Sequence, residues 1–201
     1  MNKTESQQFV IFLVVVYIVY FLVSLRMGRN RATRGKSINH IYLPDILQDN
    51  LPNLFRYHRF IDIFIVIFMI VSFSYLYITV NQTIVYKTLI FLAIVFSVKE
   101  IFSYVTVLPD ASKCCDQKHE TNKFFGSCNG LIFSGHTASV LAVVYVLSEY
   151  VSRSVSVSLY IATIIYGILI VLVRNHYSID ILVAFVVVDV LFRRVFLKYV
   201  R

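Results

Sequence analysis

The chain has 201 residues, of which 58% are hydrophobic and 15% charged, with a mean hydropathy of +0.74 and a formal net charge of +8. An ordinary soluble domain is about 45–50% apolar and about 25% charged, so this composition excludes one, and the length allows a single compact membrane domain. The basic residues lie in loops between apolar runs. That argues against nucleic acid and for anionic headgroups or a phosphorylated substrate, although plain topology charge accounts for most of them equally well.

The first apolar run, Phe9 to Leu25, has neither the basic leader nor the small-residue cleavage site of a signal peptide. The basic segment Arg26-Met27-Gly28-Arg29-Asn30-Arg31 follows it, so a retained span is expected over 9–25. Residues 26–60 form a polar, basic loop in which Leu43-Pro44-Asp45 and Leu51-Pro52-Asn53 are turn or helix-start signals. An interfacial helix fits between Asp45 and Arg59. Further spans are expected over 61–80, 84–104, 133–150, 155–173 and 179–196, with breaks at Asn81-Gln82-Thr83 and Ser152-Arg153-Ser154. A polar loop over 109–129 carries all three cysteines, and Arg193, Arg194, Lys198 and Arg201 close the last helix at the headgroups. With 14 Tyr and no Trp, tyrosine supplies the interface anchors. The expected architecture is an all-α membrane protein, a six-transmembrane-helix bundle.

Six spans put both termini on one side and the loops after spans one, three and five on the other. That second face receives Ser134, Gly135 and His136 from one segment and Arg174, His176 and Asp180 from another. Each has an ordinary reading when taken singly. A histidine at a span end is commonly an anchor, Arg174 can be a snorkelling charge, and Asp180 suits a helix's first turn. Their convergence at one interface marks a candidate site.

His176 and Asp180, four apart, share one helical face, so the carboxylate can accept the Nδ1 proton and leave Nε2 as nucleophile. His136 can protonate the departing oxygen, while Lys99 or Arg174 neutralises phosphate charge. Ser134 and Gly135 open a helix whose first N–H groups favour an anion, and glycine lets a phosphate approach closely. No metal and no cofactor are needed for this chemistry. The cysteine cluster permits a disulfide, Cys115 with Cys128, if its loop faces an oxidising compartment, with free thiols as the alternative.

The segment Cys128-Asn129-Gly130-Leu131-Ile132-Phe133-Ser134-Gly135-His136-Thr137 resembles the first histidine motif of the sphingomyelin synthase family. His176-Tyr177-Ser178-Ile179-Asp180 resembles its histidine–aspartate motif, and Tyr104-Val105-Thr106-Val107-Leu108-Pro109 the segment closing the preceding span. Lys99 falls where the family usually has arginine, and Leu43-Pro44-Asp45 is loosely similar to another family element. The resemblance covers roughly residues 40–196 and extends to the type-2 phosphatidic acid phosphatase superfamily. It implies a six-span enzyme moving a phospho-headgroup between lipids, with His176 as nucleophile, Asp180 as its partner and His136 as the leaving-group acid. It also implies a phospholipid donor such as phosphatidylcholine and a ceramide or diacylglycerol-type acceptor. Cys128-Asn129-Gly130 departs from the family's usual Cys-Gly-Asp, and Arg174 stands where another histidine is frequent.

The expected setting is a multi-pass protein of an endomembrane or the plasma membrane, with a homo-oligomer allowed. Counting basic residues in short loops puts the site face in the cytosol. The resemblance implies the lumenal or exoplasmic side, and phosphate-binding cations inflate the count. Two other functions fit the same residues: a hydrolase using the same triad, and a non-enzymatic six-span lipid-binding or scaffold protein.

Overall fold

The computed structural model describes residues 41, 43–112 and 132–200, the last two by backbone alone. The expected first span over 9–25, the loop over 26–40, and Cys115 and Cys128 of the expected disulfide lie outside the described residues. Within them the chain forms six α-helices and no strand.

Helix α1 is short, Ile46–Asn50. Asp45 starts it, its carboxylate accepting the N–H groups of Leu47 at 3.1 Å and Gln48 at 3.0 Å. The helix stops at Leu51, whose backbone is extended, because the following Pro52 disfavours a helical conformation there. The interfacial helix is therefore much shorter than one reaching Arg59. A 3₁₀ turn at Phe55–Tyr57 leads into α2, His58–Tyr75, which continues as a π-helical stretch over Leu76–Val80. Asn81 breaks the chain and caps α3, Gln82–Val105, by accepting the Ile84 N–H at 3.0 Å. After the interval to residue 132 come α4, Gly135–Ser148, α5, Arg153–Leu172, and α6, Ser178–Leu191, which runs on as a π-helix over Phe192–Val200.

Three helical stretches among the described residues are long and apolar enough to cross a membrane: Phe55–Val80, Gln82–Val105 and Arg153–Leu172. Helix α4, where a fourth span is expected, is apolar but only 14 residues long. At 1.5 Å per residue it covers about 21 Å, less than the roughly 30 Å of a hydrocarbon core. The expected sixth span is α6 with its π extension, and it carries Asp180, Asp189, Arg193 and Arg194.

The reason α4 tolerates its length is its position. It packs against α2, α3, α5 and α6, and all its residues except His136, Tyr145 and Ser148 are buried. A helix apolar on every side belongs inside a bundle. The outer helices turn apolar side chains outward, Ile63, Ile67 and Ile70 on α2 and Leu182, Val186 and Val190 on α6. Those rows repeat every three or four residues, so each forms one stripe along its helix, suited to lipid contact. Gly167 lets α5 and α6 meet closely, because a Cβ there would lie 2.9 Å from Ile181 Cγ2. This contact packs α5 against α6 at Ile181, the residue after Asp180 of the site.

Candidate active site

The antiparallel run of helices brings five segment ends to one end of the bundle. They are the start of α2, the end of α3, the start of α4, the end of α5 and the start of α6. The two histidine motifs meet there. The rings of His136 and His176 lie 6.2 Å apart, centroid to centroid, at 65°.

Asp180 is fully buried and joins the two histidine motifs. Its Oδ2 lies 3.0 Å from His176 Nδ1 and accepts the Tyr177 N–H at 2.9 Å, while Oδ1 accepts the Ile132 N–H at 2.7 Å. The Ser134 N–H donates to the Asp180 carbonyl at 3.2 Å. Thus one residue of α6 fixes both its own histidine and the approach to α4. A carboxylate facing Nδ1 puts the proton on that nitrogen and leaves the Nε2 lone pair free. Burial lowers the His176 pKa below its ordinary 6.5 despite the opposing pull of Asp180, with further lowering from His136 and Lys99 nearby. The imidazole is neutral near pH 7, as a nucleophile requires.

Ser134 is buried and acts as the α4 cap, its Oγ accepting the Thr137 N–H at 3.2 Å. The N–H groups of Gly135 and His136 open the helix, where no intrahelical acceptor exists for them. Gly135 leaves room for a close neighbour: a Cβ there would sit 3.0 Å from Lys99 Cε, and that side chain would have to shift. The Lys99 side chain therefore passes over the start of α4, and its Nζ lies 3.3 Å from Glu100 Oε1. A cation and a helix N-terminus meet here, both favouring a phosphate oxyanion.

Arg174 has other partners. It sits at the end of α5 with φ 58°, the left-handed conformation that usually selects glycine. Its N–H bonds the Val171 carbonyl at 3.0 Å and the Asn175 N–H bonds the Ile170 carbonyl at 3.1 Å. This pair of bonds is a Schellman ending. From there the Arg174 guanidinium donates to the carbonyls of Gln48 and Leu51, the latter at 3.2 Å. Its Nη2 is engaged with the chain around α1.

Sequence reasoning overlooked Asp62. His136 Nε2 lies 2.9 Å from Asp62 Oδ1, with the His136 side chain 10% exposed and Asp62 40%. Asp62 is in the first turns of α2, where a carboxylate reads as a boundary charge. The available signal was its cost: an acidic residue inside an apolar run calls for a partner. Asp45, of the Leu43-Pro44-Asp45 element, also contacts the site. It accepts the Ser178 N–H and hydroxyl, each at 2.7 Å. Burial would raise its carboxyl, but the donors from Ser178, Gln48 and Leu47 outweigh that and hold it below 3.8. Among the described residues no three His, Cys, Asp or Glu side chains are grouped as a metal site requires.

Residues 127–197 match the family model described as PAP2 superfamily C-terminal. The match spans both histidine motifs and supports a PAP2-like superfamily origin. Lipid phosphatase or phosphotransferase-type activity and membrane association are suggested with it. Asp45, Asp62 and Lys99 lie outside the PAP2-matching stretch, so the match carries nothing about them. No curated protein matches the chain.

Proposed function

We propose that the protein is a lipid phosphotransferase similar to sphingomyelin synthase, moving a phospho-headgroup from a phospholipid to a ceramide-like alcohol. The observation that carries this reading is the buried His176–Asp180 pair, 3.0 Å apart, with the His136 ring 6.2 Å from that of His176.

His176 Nε2 attacks phosphorus, a P–N bond forms, and the P–O bond to diacylglycerol breaks. His136, protonated for this step and held by Asp62, gives its proton to the departing oxygen. Charge on the phosphoryl oxygens meets Lys99 and the first N–H groups of α4. In the second half the acceptor hydroxyl gives its proton to His136 and attacks phosphorus, and the P–N bond breaks. The net change moves the headgroup one way and a proton the other, so no metal or cofactor enters the balance. Ser134 and Gly135 keep the phosphate approach open, and Arg174 acts on the neighbouring loop. Six spans, a site on the lumenal or exoplasmic face and a Cys115–Cys128 bridge complete the proposal.

The test is headgroup transfer in defined liposomes containing labelled phospholipid and ceramide. Wild type forms labelled sphingolipid, and His176→Ala and His136→Ala do not. Labelled free headgroup without a ceramide product would replace transfer by hydrolysis, a reading that the PAP2 match supports equally. Full turnover by His176→Ala would remove the phosphohistidine altogether.

A further inference from the structure

Three alternate residues around the candidate nucleophile, 174, 176 and 178, each bond to one short segment far away in sequence. The Arg174 guanidinium donates to the carbonyls of Gln48 and Leu51. The His176 carbonyl accepts from Gln48 Nε2 at 3.1 Å. The Ser178 N–H and hydroxyl donate to opposite oxygens of Asp45, both at 2.7 Å. These contacts bridge 123 to 133 residues of chain.

We propose that the segment from Asp45 to Leu51 is a positioning strap for the nucleophile loop, with Asp45 as the positioning residue that sets the His176 approach. This rests on reading His176 as the nucleophile. The mechanism already described uses none of these contacts, because Asp180, in the first turn of α6, orients the imidazole ring of His176 in the loop just before it. Asp180 holds the loop backbone at one point only, the Tyr177 N–H at 2.9 Å, and the Asp45–Leu51 segment holds it at residues 174, 176 and 178 on either side.

The loop needs such a device. It leaves α5 through Arg174 in a left-handed conformation, its last bonds to that helix made by the Arg174 and Asn175 N–H groups, and enters α6 at Ser178. The α6 entrance has no side-chain cap from Tyr177 suited to its Ser178 N–H, and Asp45 supplies that acceptor from outside. Asp45 is 8% exposed and accepts four donors: two within α1 and two from Ser178. One buried carboxylate thus starts one helix and caps another. Two of its four donors, both from Ser178, are present only while the two helices are docked. Charge-assisted bonds of this kind are about twice as strong as neutral ones. Because α1 has 5 residues, none fully buried, and only Leu47 packs against the core, these polar contacts carry much of what holds it in place.

A displacement of about 1 Å at a reacting group can cost on the order of 10²-fold in rate. The full-length protein in liposomes, with Asp45→Asn, Ser178→Ala, Asp45→Ala and the Asp45→Ala/Ser178→Ala double variant, tests the strap. Two readouts are taken, steady-state headgroup turnover and amide hydrogen exchange over residues 174–180. Asp45→Asn keeps the shape but presents an N–H₂ where a donor must be accepted. It is expected to lower kcat by roughly 10–100-fold with KM within about twofold, and to speed exchange at Ser178 and its neighbours. The double variant is expected to be no slower than Asp45→Ala alone, since both changes break one contact. Wild-type kcat and exchange in Asp45→Asn would overturn the strap, as would losses in the double variant equal to the product of the two single losses. A rise in KM with kcat unchanged would also overturn it, by making Asp45 a substrate contact. If His176→Ala retains turnover, the reading of the site fails instead, and the exchange rates alone then decide the strap.

Discussion

Asp180 and Ile132 are bound to each other across 48 residues: the carboxylate Oδ1 accepts the Ile132 N–H at 2.7 Å, and Ile132 holds φ at 62° to offer it. A β-branched residue in the left-handed region is strained by about 1–3 kcal/mol, and such strain persists only where surrounding contacts enforce it. Here the contact is the carboxylate that orients His176. Replacing Ile132 by Gly relieves the strain but adds about 1 kcal/mol of unfolded-state entropy, two terms of opposite sign. Ile132→Gly is therefore expected to leave thermal stability nearly unchanged and activity within a few-fold. Ile132→Pro, which has no N–H and cannot adopt that φ, is expected to lose most turnover. Equal activity in the two would show that the Ile132 bond does not matter to the site.

Asp180→Asn has a sharper consequence. The native carboxylate accepts from Ile132, Tyr177 and His176, three donors on two oxygens. An amide offers one accepting oxygen and turns an N–H₂ group towards at least one of those donors. The imidazole then loses its tautomer control, a defect that costs on the order of 10⁴ in kcat in serine protease triads. A loss of at least 10³-fold in kcat, with the variant still folded by circular dichroism and thermal melting, is the expected outcome. A loss below tenfold would leave His176 without need of its partner.

The buried His176 also sets a pH dependence. Its folded pKa lies below 6.5, while the unfolded chain's histidine titrates near 6.5. Between those two values the unfolded chain holds a proton that the folded one does not, so stability rises with pH across that window. Below the folded value the difference is fully lost and the curve flattens. Turnover needs the neutral Nε2, so the acid limb of kcat/KM is expected below pH 6.5. Titration of the His176 ring by NMR alongside the pH–rate profile checks this. A His176 that titrates above 6.5 would mean that Asp180 outweighs burial, the reverse of the balance argued here.

How much of this was legible in the chain depends on the range of each contact. The helical class follows from apolar run lengths, and the His176–Asp180 contact from a spacing of four, although His176 lies in the loop before α6 and not on a helical face shared with Asp180. His136 was legible once the spans were counted, since alternation of direction alone brings it to the same end. Asp62 and Asp45 were not, because their partners stand 74 and 133 residues away and nothing local marks the pairing. The enclosure of α4 was equally hidden. Its composition matches a lipid-facing span, and only the four helices packed around it explain why 14 residues suffice.

Asp62 gives the reading of His136 its most direct test. If the Asp62 carboxylate serves to hold His136 for proton transfer to a poor leaving group, its loss should matter only when the leaving oxygen needs that proton. General acid catalysis is worth about 10²–10⁴-fold for an alkoxide and little for a nitrophenolate. Asp62→Asn and His136→Ala are therefore expected to lose turnover of a phospholipid, His136→Ala by more than about 10²-fold. Both should release nitrophenol from an activated nitrophenyl phosphodiester at rates near wild type in the first, phosphohistidine-forming step. His176→Ala should release none from either substrate, because it removes the nucleophile and not the acid. Burst-phase release of nitrophenol separates that first step from the second, in which His136 acts as base. If activated and natural substrates suffer equally in Asp62→Asn, the carboxylate supports the fold of the site and not the proton on His136. Asp62→Asn keeps the side-chain shape at a position 40% exposed, and a thermal melt of the variant beside the two assays separates loss of the fold from loss of the proton on His136.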